Sequence, residues 1–204
     1  MKRLTFSALA ALPLALAAGP ARAQAVVGRP APAFTVADSN GQSHSLADYK
    51  GKLVVLEWFN PECPFVGKHY GSGHMQGLQQ EWTAKGIVWL TIDSSAPGKQ
   101  GYVDAARARS LAKERGLAST ALLLDPEGKV GRAYAAKTTP HMFVIDKAGT
   151  VAYAGGIDDK PSTDQADLAT ARNFVAAALG EIVAGRPVTV ASSQPYGCSV
   201  KYAD

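Results

Sequence analysis

Two kinds of apolar pattern divide this chain. Leu53-Val54-Val55-Leu56-Glu57-Trp58-Phe59 is a nearly continuous apolar run between Gly51 and Asn60-Pro61, as expected of a strand buried on both faces of a sheet. Ile87-Val88-Trp89-Leu90-Thr91-Ile92 is a second such run, ending at Asp93-Ser94-Ser95. Between them lies a stretch of helical character interrupted by Gly71-Ser72-Gly73. A strand, helix, strand unit of this kind predicts two parallel strands joined by a crossover.

Further on, Ala105, Ala108, Leu111 and Ala112 recur at helical spacing, with Asp104 early, Lys113 and Arg115 late and Gly116 as a stop. The pattern predicts a helix over Tyr102 to Arg115. Met142-Phe143-Val144-Ile145 and Thr150-Val151-Ala152-Tyr153 flank the turn residues Asp146-Lys147-Ala148-Gly149, which predicts a β-hairpin. Ser162 and Gln165 have capping-box spacing ahead of Leu168, Ala171, Val175, Leu179 and Ile182, and Gly185-Arg186-Pro187 closes that stretch, so a last helix is expected there. Ahead of all this, Pro30 and Pro32 rule out a helix, and Asp38-Ser39-Asn40-Gly41 predicts a first hairpin turn. The order implies an α/β fold of thioredoxin-like arrangement: a central mixed sheet that starts parallel and finishes antiparallel, with helices on both faces.

Composition and charge change the picture mainly at the N-terminus. Lys2 and Arg3 precede an apolar stretch from Leu4 to Ala18 and the small-residue sequence Ala21-Arg22-Ala23, the layout of a cleavable export signal over residues 1–23. The stretch is Ala-rich and too short to span a bilayer, so a periplasmic or secreted protein with no membrane attachment after cleavage is expected. The formal charge is +4. Lys2, Arg3 and Arg22 account for most of it, and the nearly neutral remainder carries no basic run that would bind nucleic acid. The rest of the 204 residues suits one domain over 26–185, followed by a polar tail over 186–204.

Only two cysteines occur, Cys63 and Cys198. In an exported protein an even count suggests a disulfide. Closing so long a loop would contribute about 4–5 kcal/mol in the chain-entropy model, which a domain of this size does not need. Cys63 stands in Trp58-Phe59-Asn60-Pro61-Glu62-Cys63-Pro64-Phe65-Val66, where a strand gives way to a helix. Pro64 suits the first helical position because its missing N–H would be unpaired there in any case. Cys63 is then the N-cap, where free backbone N–H groups and the helix dipole favour a thiolate. Lys68 and His69 would add positive charge, and Glu62 would oppose it.

Three motifs carry a family resemblance over residues 26–185. They are Gly28-x-x-Ala31-Pro32-x-Phe34, the turn Trp58-Phe59-x-Pro61-x-Cys63-Pro64, and Thr138-Thr139-Pro140-x-x-Phe143-Val144-Ile145-Asp146. In this order they resemble the redoxin branch of the thioredoxin superfamily, which includes exported thiol-disulfide oxidoreductases. It also includes peroxiredoxins of the alkyl hydroperoxide reductase and thiol-specific antioxidant type. The resemblance implies a thiol oxidoreductase without a cofactor, in which Cys63 attacks and Pro140, in cis, faces it. The Thr139 backbone would hydrogen-bond the substrate or the sulfur, and Asn60 and Pro64 would complete the substrate face.

The departures from the family pattern shape the expectation further. Position 66, where a Cys-x-x-Cys dithiol has its second cysteine, is Val66, and position 60, where peroxiredoxins carry Thr or Ser, is Asn60. Cys198 is then the one resolving thiol available, provided that the tail, with its Pro195, Gly197 and anchoring Tyr196 and Tyr202, folds back to Cys63. Peroxide or a protein disulfide is the implied substrate, with an external thiol as reductant.

Two other classes stand beside this one. Cys63, His69, His74, Met75, His141 and Met142 are soft or borderline metal ligands. However, the Cys-x-x-x-Cys pair of thioredoxin-fold copper carriers is missing, since position 67 is Gly67. No metal site is assigned: His69 and His74 are expected on a solvated helix surface, and His141 close to Cys63. A non-catalytic binding module with a structural disulfide is the third class.

Overall fold

The computed structural model describes residues 24–204; the expected export signal lies outside them. The elements in chain order are β1 (Thr35–Ala37), β2 (Ser43–Ser45), β3 (Val54–Trp58), α1 (Pro64–Gly71), α2 (His74–Ala84), β4 (Val88–Asp93), α3 (Ala105–Glu114), β5 (Ala121–Leu124), α4 (Lys129–Ala133), β6 (Thr138–Thr139), β7 (His141–Ile145), β8 (Val151–Gly155), α5 (Phe174–Val183) and β9 (Cys198–Ser199). Short 3-10 turns cover Leu46–Tyr49 and Gln165–Ala169. Among the described residues no helix is long and apolar enough to cross a membrane.

The central sheet has the order β5-β4-β3-β7-β8. β3 pairs in parallel with β4, β4 in parallel with β5, and β7 pairs antiparallel with both β3 and β8. This is the expected thioredoxin-like α/β arrangement. Successive side chains of a strand point to opposite faces, so β3 serves two cores at once. Val55 packs on one face with Val66 of α1, Met75 and Trp82 of α2 and Leu179 of α5. Val54, Leu56 and Trp58 pack on the other with Phe34, Val130 and Tyr134. That two-sided burial is why the run reads as continuously apolar.

Glu57 is the exception within it. The residue is fully buried and its carboxyl receives hydrogen bonds from Tyr70 Oη (2.8 Å), Gln79 Nε2 (3.0 Å), Trp89 Nε1 (2.7 Å) and Thr91 Oγ1 (3.3 Å). Burial nevertheless pushes this carboxyl above its ordinary value.

Two helix boundaries differ from the sequence pattern. α3 starts at Ala105, not Tyr102, because the Asp104 side chain accepts from Arg107 N at 2.7 Å and so caps the helix. The last helix starts at Phe174. Ser162 does not form a capping box; its hydroxyl donates to Asp167 Oδ2 at 2.5 Å. Asp164 caps the 3-10 turn instead, Arg172 N is held by Asp159 Oδ1 (2.9 Å), and Asn173 caps α5 by accepting from Ala176 N at 2.8 Å. Leu168 and Ala171 therefore lie before α5, while Val175 and Leu179 form its buried face.

Candidate active site

Residues 59–63 leave the end of β3 and turn directly into α1. Phe59 N donates to Ile92 O (2.9 Å), Cys63 N to Asn60 O (3.2 Å), and Gly67 N to Cys63 O (2.8 Å). Cys63 is thus the N-cap residue, with extended backbone (φ −79°, ψ 122°), and Pro64 opens the helix. The Asn60 side chain builds this turn. Its Oδ1 accepts from Glu62 N (2.8 Å) and its Nδ2 donates to Gln100 O (3.2 Å), while Gly101 leaves the space it fills. The amide expected to face a substrate is committed to the backbone.

The Cys63 thiol is closed in from above. Thr139–Pro140 is a cis peptide, and the thiol donates to Thr139 O at 3.0 Å. The outer side of the same strand is occupied by the C-terminal segment: β9 pairs antiparallel with β6, with Thr139 opposite Cys198 and Thr138 opposite Ser199. Val200 N adds a bond to Lys137 O at 3.0 Å. Gly197 (φ 130°) allows this approach, since a Cβ there would overlap Thr139 O. Cys63 is 1% exposed, Cys198 is half-buried, and both are free thiols.

The two thiols influence each other's ionisation. Burial raises the Cys63 thiol, but hydrogen bonds from the Cys198 and Thr139 side chains and from the Val66 and Cys198 backbone outweigh it, so the net shift is downward. Burial, the hydrogen bond to Cys63 and the Cys63 charge together push Cys198 up to about 11. Of the two, Cys63 is therefore the more readily ionised thiol.

The tail is anchored at several points. Tyr196 Oη donates to Asp158 Oδ1 (2.5 Å) and lies 3.3 Å from His69 Nε2. Its ring meets Phe65 edge-on at 5.9 Å. Ala96 N donates to Lys201 O at 2.8 Å, and Tyr202 Oη to Ala136 O at 2.9 Å. Both tyrosines hold the tail as the sequence suggests. Asp158 carries no signal in the sequence that points to this role.

The histidines depart from expectation. His69 is fully buried rather than solvated, because the tail and the segment after β8 cover this side of α1. Burial, helped by His74 and Lys68, depresses it to about 3, so it is neutral and adds no charge near Cys63. Its Nδ1 meets His74 Nδ1 at 3.0 Å. The Lys68 ammonium donates to Lys160 O at 2.8 Å. The His141 ring packs on Phe143 at 4.6 Å, in the layer opposite to Cys63, and its Nδ1 accepts from Lys137 N at 3.2 Å. Among the described residues no three His, Cys, Asp or Glu side chains converge in a geometry that could hold a metal ion.

Of the site residues read from the sequence, Cys63, Pro64, Thr139, Pro140 and Cys198 come together at one end of the sheet, and Asn60 supports the turn beneath them. Residues 27–154 match the model of the AhpC/TSA family, and the chain belongs to that family. Within it, the chain is 28% identical over 125 residues to the thiol-disulfide oxidoreductase ResA of Geobacillus thermodenitrificans, a match spanning 61% of this chain and 66% of that protein, just under two thirds of its length. Among solved structures, a hypothetical protein from Sinorhizobium meliloti superposes with a TM-score of 0.73 at 22% identity, covering 87% of this chain and 95% of that one. A putative thioredoxin from Neisseria meningitidis gives 0.53 at 22% identity, covering 76% and 92%. These likenesses show the thioredoxin-like fold.

Proposed function

We propose that the protein is a thiol-dependent oxidoreductase whose working couple is Cys63 and Cys198, cycling between dithiol and disulfide. The pairing of Cys198 with Thr139 across β6 and β9 supports this reading, because the Cys63 thiol bonds the carbonyl of that same Thr139 at 3.0 Å, so the two cysteines meet at one residue although no cysteine stands at position 66. Cys63 is the nucleophile of the couple. Its lowered thiol and N-cap position favour the thiolate, while Pro64, Thr139 and Pro140 shape the face around it.

Thiol-disulfide exchange is favoured over peroxide reduction by the Asn60 amide, which is held by Glu62 N and Gln100 O instead of facing the thiol. The name of the ResA relative supports the same choice. An external thiol completes the cycle as reductant, and a protein disulfide or thiol is the natural exchange partner. Export to the periplasm or beyond is part of the reading and rests on the signal-like residues 1–23; N-terminal sequencing of the mature protein should begin near Gln24.

The test is a series of wild type, Cys63→Ser and Cys198→Ser assayed for disulfide exchange and for peroxide consumption. The expected result is exchange activity lost in Cys63→Ser and strongly reduced in Cys198→Ser, with peroxide turnover low throughout. Exchange unaffected by Cys63→Ser would contradict the proposal, and rapid Cys63-dependent peroxide turnover would move it to the peroxidase branch.

A further inference from the structure

Asp158, Tyr196, His69, His74 and Asn173 meet in one line beside α1, and the line has a single direction. Burial and the Asp158 carboxyl push the Tyr196 hydroxyl well above its ordinary value, so it keeps its proton and donates it to Asp158 Oδ1 at 2.5 Å. Its oxygen can then only accept from His69 Nε2, 3.3 Å away, and that nitrogen must carry the ring proton. His69 is neutral, so its Nδ1 offers a lone pair to His74 Nδ1 at 3.0 Å, and the proton of His74 sits there. His74 Nε2 is left as an acceptor facing Asn173 Nδ2 at 3.5 Å, while Asn173 Oδ1 caps α5. The backbone closes the loop: Asp158 bridges to Asn173, and Phe174 N donates to Ile157 O at 2.9 Å. This chain joins α1, α2, the start of α5, the segment after β8 and the tail two residues before Cys198.

We infer that His69 and His74 are positioning residues of the redox couple: in these tautomers, and with both rings neutral, they fix Tyr196 and so hold Cys198 at Thr139. The inference rests on the Cys63–Cys198 couple proposed above. A further proton breaks the chain at defined points. On His69 Nδ1 it would face the proton of His74 Nδ1, and on His74 Nε2 it would face the Asn173 amide. Each contact would change from donor against acceptor to donor against donor. Lys68 on α1 opposes protonation of both rings, and Asp158 after β8 favours it at His74. Asp159, Lys160 and Arg172 are the other charged residues of the flanking segments, and the Lys68 ammonium is bonded to Lys160 O. Burial is the largest influence and holds both rings below their ordinary value of 6.5. The docked tail therefore binds fewer protons than the released one, so docking is at full strength above 6.5 and weakens as pH falls below it.

Nitrogen NMR spectra of the reduced wild type at neutral pH read the tautomers directly. His69 protonated on Nε2 and His74 on Nδ1 are expected; the reverse pair, or a mixture of the two, overturns the inference. Hydrogen exchange at Val200 N, which bonds Lys137 O in the docked tail, reads the proton dependence. Its protection should fall by about tenfold per unit from about pH 5.5 to about pH 4, and protection that stays level there overturns the inference. Disulfide formation at neutral pH, followed by quenched alkylation, reads the positioning. His74→Asn keeps a donor where Nδ1 stands and should match wild type within about twofold, whereas His74→Gln and His74→Leu lose it and should be slower by about fivefold or more. A His74 that merely fills space would make His74→Asn, the smallest replacement, the slowest, and that order overturns the inference. A couple that forms at one rate in all these variants overturns the inference alone, while a wild type that forms no Cys63–Cys198 disulfide removes the couple and the positioning role with it.

Discussion

The Tyr196 hydroxyl donates to Asp158 Oδ1 at 2.5 Å and stands 3.3 Å from His69 Nε2, so a residue two positions before Cys198 is fastened to a buried polar group beside α1. This clamp places the second thiol. A tail held only by the two-residue β9 pairing would give Cys198 a far lower effective concentration at Cys63, since proximity of this kind depends on fixed geometry.

Removing the hydroxyl in Tyr196→Phe keeps the ring against Phe65 but leaves the Asp158 carboxyl without its short bond. Hydrogen bonds to charged groups contribute about 1.5–3 kcal/mol. The variant should lose stability of that order in urea unfolding and form the Cys63–Cys198 disulfide more slowly, measured by quenched alkylation.

Gly197→Ala places a Cβ into Thr139 O at a residue with φ 130°, which β9 cannot accommodate. The sheet core is remote from this contact, so the domain should stay folded while the tail lifts. Alkylation of Cys63 by a small reagent should rise by an order of magnitude or more.

The Cys198 thiol is a hydrogen-bond donor to Cys63 in its ionised form, one of the causes of the lowered Cys63 thiol. Cys198→Ala removes that donor. Ultraviolet thiolate absorbance against pH should show the Cys63 midpoint moving up, and the fraction of thiolate at neutral pH falling.

Asp93 lies 3% exposed at the end of β4, where burial, only partly offset by hydrogen bonds from Ser95 and Val103, raises its carboxyl to about 6. The folded state then binds a proton more tightly than the unfolded chain. Stability is fullest below the ordinary value of 3.8 and falls as pH rises towards 6, by up to about 3 kcal/mol at 1.36 kcal/mol per unit. Asp93→Asn should flatten the wild-type decline across that window in urea titrations.

Much of this fold was legible because β3, β4 and the β7–β8 hairpin are long enough to show their burial as apolar runs. β5, with only Ala121–Leu124, and the two-residue strands β6 and β9 are too short to carry a period. The start of α5 went astray because Ser162 and Gln165 have the spacing of a cap, while Asn173, which makes the cap, stands alone. At the site, Cys63 and Pro64 are readable from the backbone chemistry of a helix start, and Pro140 from the family resemblance. The burial of His69 is not, because what covers it is the tail from the other end of the chain. Glu57 left one visible trace, a charge inside an otherwise apolar run, and its meaning depended on Gln79 and Trp89, which only the packing brings to it.

The central claim is that Cys63 and Cys198 of one chain form the redox couple. Mild oxidation followed by non-reducing peptide mapping of the wild type tests it most directly. A single intrachain peptide pair joining Cys63 to Cys198, released by reductant and absent in Cys198→Ser, is the predicted result. Two thiols that remain alkylatable, or a Cys63 linked only to a second chain, would contradict the account.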